Sequence, residues 1–161
     1  MALEKVTIKK PEEIAIIKKG GRLLGNILQQ LAKMVKPGIT TGDLEAKADE
    51  LIKKAGGRPS FKGYHSKNEI PFPCILCTSV NDEIVHASPL PARVLKNGDI
   101  IGIDIGMEYP AKNGFYTDTA VTVAVGKISA ENKKLIDVTQ KALQIGIKAI
   151  KPGNKISDIG R

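Results

Sequence analysis

Two neighbouring segments decide how this chain folds: residues 100–108 read IIGIDIGME, and residues 115–125 read FYTDTAVTVAV. In each segment large aliphatic residues alternate with small or polar ones, which is the period-two pattern of a strand with one buried face. Asp104 and Asp118 fall on the small-residue face of their strands, opposite the isoleucines and valines. Glycines near Asp104 leave room for a ligand to approach the backbone. The two segments therefore predict an antiparallel hairpin that carries both carboxylates on one face.

A carboxylate in a strand must be paired, neutralised or solvated, because burying an unpaired charge costs several kcal/mol. Neither strand contains a lysine or an arginine that could act as a partner. A divalent cation shared by Asp104 and Asp118 would satisfy both side chains. The alternative is that both aspartates are solvated on the open face of an edge hairpin.

The turn between the strands decides whether the two aspartates meet. A two-residue turn at Asn113 would pair Asp104 with Val123 and direct Asp118 to the opposite face. A longer loop centred on residue 111 would place Asp104 directly across from Asp118, with Cβ atoms roughly 5 Å apart. Pro110 cannot donate to a strand ladder and favours the longer loop. We therefore predict the longer loop and direct pairing of the two aspartates.

Helical patterns flank the predicted strands. A first helix is predicted over residues 11–35, where a Lys-Pro-Gly sequence follows it. A second helix begins at Thr40 or Thr41, both good caps, and ends at two glycines. A third follows Ser129 to about residue 150, with four residues predicted to face inward: Leu135, Val138, Ala142 and Ile145. This order of elements predicts an α+β fold with an antiparallel sheet.

Residues 74–80 and 83–87 predict a second hairpin with a two-residue turn between them. In that hairpin His86 would pair directly with Cys77. A histidine in such a place can be a metal ligand, a general acid or base, an oxyanion donor or a structural residue. The residues alone leave these alternatives open.

Cys74 and Cys77 form a C-x-x-C pair, which invites a redox or zinc interpretation. On a strand, however, residues three apart point to opposite sides, so the two thiols are expected to diverge. No second C-x-x-C completes a zinc ribbon. A zinc site that combines both cysteines with His65 and His86 remains an alternative.

The chain also repeats itself. Residues 35–44 read VKPGITTGDL after the first helix, and residues 150–159 read IKPGNKISDI after the third, so Lys-Pro-Gly and a later Asp-aliphatic pair recur at one offset. We interpret this as a duplicated unit, with a first pseudo-repeat over residues 11–126 and the start of a second over 127–161. We expect the second copy to be cut short.

Composition sets the broad class. The 161 residues, 42% of them hydrophobic, are enough for one domain with a real core. No apolar run is long enough to cross a membrane and no signal-peptide core is present, so a cytoplasmic location without a membrane partner is expected. Two cysteines do not make a disulfide framework, which agrees with a reducing compartment. The net charge of +8 is spread along helices, so no specific nucleic-acid site is expected.

Taken in order, these segments resemble type I methionine aminopeptidase, a metallopeptidase with the pita-bread fold. The resemblance runs through five segments: residues 8–14, 36–38, 77–86, 97–106 and 118–120. It implies the pita-bread (creatinase/aminopeptidase-like) fold, in which an antiparallel sheet has helices on one face. It also implies that residues 1–161 form a single incomplete catalytic domain whose second pseudo-symmetric half is largely missing.

The resemblance further implies the site. Asp104 and Asp118 would be the two aspartate ligands of a dinuclear centre, with Asp118 bridging two divalent ions and Asp104 chelating one. His86 would contact the scissile amide and stabilise the tetrahedral intermediate. Five residues would line the pocket for the methionine side chain: Phe61, Tyr64, His65, Phe72 and Cys77. The ions, for which Co, Mn, Fe and Zn are all suitable, would activate a hydroxide and polarise the peptide carbonyl.

The implied activity is removal of methionine from the N-terminus of a nascent or short peptide, with the ribosome surface as a further expected partner. Two features depart from the family: Ala87 and Ser88 replace a usual Gly-Ile, and Thr117 replaces a usual glycine. The family's other ligands, a histidine and two glutamates, have no match after Asp118, so we expect weak metal binding and little activity from these residues alone. The alternatives are a non-catalytic pita-bread binding protein and another pita-bread peptidase such as a prolidase.

Overall fold

The computed structural model describes residues 7–160. The elements are α1 (Pro11–Met34), α2 (Thr41–Lys54), β1 (Arg58–Pro59), β2 (Leu76–Val80), β3 (Ile100–Tyr109), β4 (Phe115–Ala124), α3 (Ala130–Ala149) and a 3₁₀ turn (Ile156–Asp158). The predicted α+β class, the three helices and the two aspartate-bearing strands are confirmed. Within residues 7–160, no helix combines the length and the apolar character needed to cross a bilayer.

Hydroxyl caps start two of the helices where the sequence places them. Thr40, rather than Thr41, caps α2: its hydroxyl accepts from the Asp43 amide (3.0 Å), and the Asp43 carboxylate accepts from the Thr40 amide (2.9 Å). This reciprocal pair satisfies donors that a helix start leaves free. At α3 the Ser129 hydroxyl accepts from the amide of Asn132 (3.1 Å).

Strand β3 is the centre of the sheet. It pairs antiparallel with β4 along one edge, and with β2 and the two-residue β1 along the other. Helices α1 and α2 cover one face of the sheet and form a core with fully buried members: Leu24, Leu31, Leu44, Ile52, Ile101, Ile103, Ile105 and Met107. The expectation of helices on one face is therefore confirmed. The opposite face of β3, which carries Asp104 and Gly106, opens into a cleft.

The register of the β3–β4 hairpin differs from the prediction by two positions. Asp104 lies opposite Ala120, and Asp118 lies opposite Gly106, so the aspartates share a face but are diagonal neighbours. The prediction of direct pairing, with a loop centred on residue 111, is wrong. Five residues, 110–114, connect the strands, because contacts at both ends of the loop set its length. The amide of residue 111 donates to the carbonyl of Gly56 (3.1 Å), and the amide of residue 114 donates to a carboxylate oxygen of β3 (3.0 Å).

The second predicted hairpin is also wrong. Residues 83–87 form no strand, and β2 instead pairs with β3, which places Cys77 opposite Asp104. One backbone bond of the expected ladder is present, from the Thr78 amide to the Ala87 carbonyl (2.7 Å). His86 adopts φ +58°, a left-handed conformation that a regular strand does not contain.

The predicted inward face of α3 is exposed. Leu135, Val138 and Ile145 are 57%, 56% and 58% exposed, and Ala142 is exposed as well. Among the described residues, α1 and α2 form the main contacts with the strands, whereas α3 packs extensively against none of them, so its apolar side chains have no such partner. Within α3, Gly146 is the buried position.

The repeated sequence has a repeated local geometry. Gly38 and Gly153 follow their helices with φ values of +93° and +90°, in the left-handed region that glycine adopts without strain. The Thr40 amide donates to the carboxylate of Asp43 (2.9 Å), and the Lys155 amide donates to a carboxylate three residues later (2.8 Å). The local geometry is the same at both copies, while the duplicated unit and its boundaries at residues 126 and 127 stay a prediction.

Candidate metal centre

An open cleft of about 1270 Å³ lies over the face of β3 that the helices leave uncovered. Segments 60–64 and 69–73 form much of its wall. The cleft brings together seven of the eight residues predicted from the sequence: Phe61, Tyr64, Phe72, Cys77, His86, Asp104 and Asp118. His65 does not line it; this side chain is exposed, and its Nδ1 lies 3.2 Å from the carbonyl oxygen of Ser66. The roles of these residues stay predictions.

The two aspartates differ in their surroundings. The Oδ1 atom of Asp104 is buried and has no hydrogen-bond partner among residues 7–160. Burial raises the pKa of Asp104 and the neighbouring Asp118 raises it further, while His86 and a hydrogen bond from the backbone of Ile105 lower it in part. Burial also raises the pKa of Asp118. The cleft therefore holds two carboxylates that form no ion pair with a side chain of residues 7–160.

Such a donor set fits a divalent cation, because hard oxygen ligands and an unsatisfied buried carboxylate oxygen are what such an ion needs. It fits only as part of a site. Among the described residues, no group of three or more His, Cys, Asp or Glu side chains converges as a metal site would require. The alternative zinc site made of Cys74, Cys77, His65 and His86 is therefore not formed within residues 7–160.

The two cysteines have separate environments. Cys74 is buried with its Sγ 3.3 Å from the hydroxyl of Ser88, whereas Cys77 lines the cleft, and neither is in a disulfide. Burial, together with Asp104 and Asp118, raises the pKa of the Cys77 thiol to about 11. Cys77 is thus a neutral thiol at pH 7, which suits an apolar pocket wall and does not suit a nucleophile or a redox pair.

Gly106 allows the pocket wall to approach the sheet. A Cβ atom at this position would lie 2.6 Å from Cε1 of Phe61 and would overlap the Ser60 hydroxyl oxygen. The amide of Ser60 also donates to the carbonyl of Gly106 (3.2 Å). The sequence suggested that this glycine leaves empty space for an ion. In the structure it instead makes room for the Phe61 ring beside the aspartates.

An ion pair at the edge of the cleft was missed from the sequence. Glu108 on β3 is 5% exposed, and its carboxylate accepts from Nε (2.8 Å) and Nη2 of Arg58, which lines the cleft. The same Nη2 donates to the hydroxyl of Tyr116 (3.3 Å), and the Gly114 amide donates to the second carboxylate oxygen (3.0 Å). The signal was present, because Glu108 follows the same strand alternation that singled out Asp104.

This ion pair leads to a prediction about pH. Arg58, and then the Gly114 amide, hold the pKa of Glu108 below its usual range. A depressed folded-state pKa contributes stability above the unfolded value of about 4.3, and this contribution is lost as the pH falls through the lower folded-state value. Arg58→Met is therefore expected to be less stable than the parent at pH 7, with a difference that shrinks towards pH 3.

Urea unfolding at pH 7, 5 and 3 checks this expectation, with Arg22→Met on the exposed surface of α1 as the matched control. Parallel pH profiles for Arg58→Met and the parent chain would contradict the assigned role of the ion pair.

The chain matches the pattern of metallopeptidase family M24 over residues 15–161, and it belongs to that family. It is 44% identical over 154 residues to methionine aminopeptidase 1 of Bacillus subtilis, which covers 96% of this chain and 58% of that protein. The crystal structure of a methionine aminopeptidase from Thermotoga maritima is similar with a TM-score of 0.87 and 38% identity, over 96% of this chain and 59% of that one.

Aminopeptidase P of Escherichia coli shares the fold alone, with a TM-score of 0.76 at 21% identity over 94% of this chain and 32% of that one. The architecture is thus the pita-bread fold that the resemblance implied. The chain spans about 58% of the length of the Bacillus relative. The remaining two-fifths of that relative have no counterpart in these 161 residues.

Proposed function

We propose that this chain forms part of a metal-dependent aminopeptidase that removes methionine from the N-terminus of nascent or short peptides. The observation that carries the proposal is the buried, unsatisfied Oδ1 of Asp104 beside Asp118 on the floor of an open cleft. Membership in family M24 and the names of the relatives support the same reaction class.

In this proposal Asp104 and Asp118 are ligands to two divalent ions, which Co, Mn, Fe or Zn could provide. When bound, such ions supply Lewis-acid activation of water and of the scissile carbonyl. The other ligands come from outside residues 7–160. His86, at the edge of the cleft, donates a hydrogen bond to the peptide oxygen on which negative charge develops.

The pocket residues select the substrate side chain. Phe61, Phe72 and the neutral Cys77 offer an apolar wall that suits an unbranched thioether, and Tyr64 covers the outer side. His65 belongs to the same loop as Tyr64 but lies outside the lining of the cleft, so it is given no contact with the substrate here. The substrate is then a peptide or nascent chain with a free N-terminal methionine.

Two finer features of the proposal concern the cell. We place the protein in the cytoplasm, where nascent chains emerge. The net charge of +8 supports approach to an anionic ribosome surface. Association that is independent of salt concentration would count against this partner.

Calorimetric titration with Zn²⁺ or Mn²⁺, followed by the peptide Met-Ala-Ser, tests the proposal. Metal binding is expected to be weak, and the metal-loaded chain should prefer Met-Ala-Ser over its N-acetylated form, because the free amine is a recognition element. Turnover by these residues alone is expected to be low. Absence of metal binding by the folded chain would refute the proposal, whereas a preference for Ala-Pro over Met-Ala would favour a prolidase. Metal-independent peptide binding would favour a non-catalytic role.

A further inference from the structure

The loop from residue 81 to residue 92 is held in an unusual way. Asn81 and His86 both adopt left-handed backbone conformations, with φ values of +56° and +58°. Such conformations are uncommon for residues other than glycine, and although asparagine and histidine adopt them more readily than most, the surroundings select them here. Apolar packing does not impose them here, since Ile84 and Val85 are 90% and 64% exposed. Polar contacts must hold the loop.

Arg93 makes the central contacts. Its Nη1 pairs with the carboxylate of Glu83, while its Nη2 donates to the carbonyls of Thr78 (2.9 Å) and Ser88 (3.3 Å). The second oxygen of Glu83 accepts from the Val80 amide (2.7 Å). One guanidinium therefore joins strand β2 to the loop on both sides of His86. This fork matches the planar geometry of arginine and is beyond the reach of a single ammonium group.

Both ends of the loop are fixed as well. The hydroxyl of Thr41, fully buried, donates to the carbonyl of Pro89 (2.6 Å) and accepts from the Arg93 amide (3.0 Å). Asn81 is bonded to Ile100 twice, through its own amide (3.0 Å) and its side-chain oxygen (3.0 Å). Between these two anchors the loop could still move, and this is the part of the loop that the contacts of Arg93 span.

We propose that Arg93 is a positioning residue that holds His86 at the edge of the cleft by tying its loop to β2. The inference rests on the proposed function, because it gives His86 a task there. Arg93 does not itself line the cleft. It acts through the carbonyls of Thr78 and Ser88 and through Glu83. Its loss therefore releases His86 without removing a group from the cleft.

The test uses the imidazole signals of the chain, which has two histidines. His65 lies in another loop and serves as an internal reference. In Arg93→Met the ¹H–¹³C signal of His86 is expected to shift or broaden while that of His65 stays in place. The Thr78 amide, which donates to Ala87, should exchange with solvent about tenfold faster or more. Arg93→Lys should recover part of both effects, and Arg22→Met should show neither.

An unchanged His86 signal and unchanged Thr78 exchange in Arg93→Met would overturn the inference. So would equal changes at His65 and at the buried amide of Ile103, because they would show a general loss of structure. If Arg93→Met does not fold, Glu83→Gln decides, since it weakens the ion pair and keeps an acceptor for the Val80 amide. A His86 signal that is unchanged in this variant would also refute the positioning role.

The same spectra separate this inference from the proposed function. The ligand-free spectra test the role of Arg93 alone. Addition of Zn²⁺ and Met-Ala-Ser to the parent chain tests whether His86 responds to ligands of the cleft. If the His86 signal does not change in this second experiment, the result counts against the proposed function. The effect of Arg93 on the ligand-free loop would still stand.

Discussion

Replacing Asp104 with asparagine is expected to lower the affinity of the chain for Zn²⁺ or Mn²⁺ by more than the ~10- to 100-fold that loss of a partner behind a metal ligand costs. The carboxylate supplies the buried Oδ1 atom that has no partner among the described residues, and an amide oxygen carries no full charge. Calorimetric titration of the parent and the variant measures the difference.

Without metal, Asp104→Asn should be at least as stable as the parent chain, which distinguishes a ligand from a structural residue. Burial raises the pKa of Asp104, so above that pKa the ionised carboxylate disfavours the folded state, and neutral asparagine removes this cost. Urea unfolding of the parent and the variant in the presence of a metal chelator measures this difference in stability. Asp137→Asn is the matched control, because Asp137 lies on α3 in an exposed pair with Lys133 (2.6 Å). Unchanged metal affinity in Asp104→Asn, or its unfolding without metal, would contradict the assignment.

Gly106→Ala is expected to reduce the free energy of unfolding by about 1–3 kcal/mol, the usual cost of overpacking. The added methyl group would overlap Ser60 and approach the Phe61 ring within 2.6 Å, so the ring must move. Movement of Phe61 also deforms the proposed methionine pocket, and the affinity for Met-Ala-Ser should fall with the stability. Urea unfolding and peptide titration measure the two effects.

Gly102→Ala is the matched control on the same face of β3. Its added methyl group would meet nothing closer than the carbonyl oxygen of Ser79 at 3.7 Å, an ordinary contact. Because alanine is less costly than glycine within a strand, stability should be unchanged or higher by up to about 1 kcal/mol. Equal effects of the two substitutions on the free energy of unfolding would show that the close approach of Phe61 does not cause the destabilisation.

The alternation in residues 100–108 was enough to predict which face of β3 is buried, because side-chain direction in a strand depends on sequence parity alone. It was not enough to predict the register. The loop of residues 110–114 is held by the carbonyl of Gly56 and the carboxylate of Glu108, and the first of these contacts joins residues more than fifty positions apart. Local turn chemistry was therefore enough to predict that the two aspartates share a face, but not that they are diagonal neighbours.

The same limit explains the failure at residues 83–87. Their composition is that of a strand, but on the edge of β2 that faces away from β3 the carboxylate of Glu83 accepts from the Val80 amide, where a ladder would continue. The ion pair of Arg58 with Glu108 also joins residues fifty positions apart. In the sequence only the glutamate could be recognised, from its place in the strand alternation. By contrast, the caps at Thr40 and Ser129 are local, and the sequence predicted both helix starts.

The diagonal placement of the aspartates has a consequence for how the chain assembles. If β4 paired with β3 one position out of register, the Asp118 carboxylate would lie on the isoleucine face under α1, and the partly buried Val123 would move to the open face. The cost of burying the Asp118 carboxylate therefore disfavours this register and favours the observed pairing of β4 with β3, independently of any ligand in the cleft.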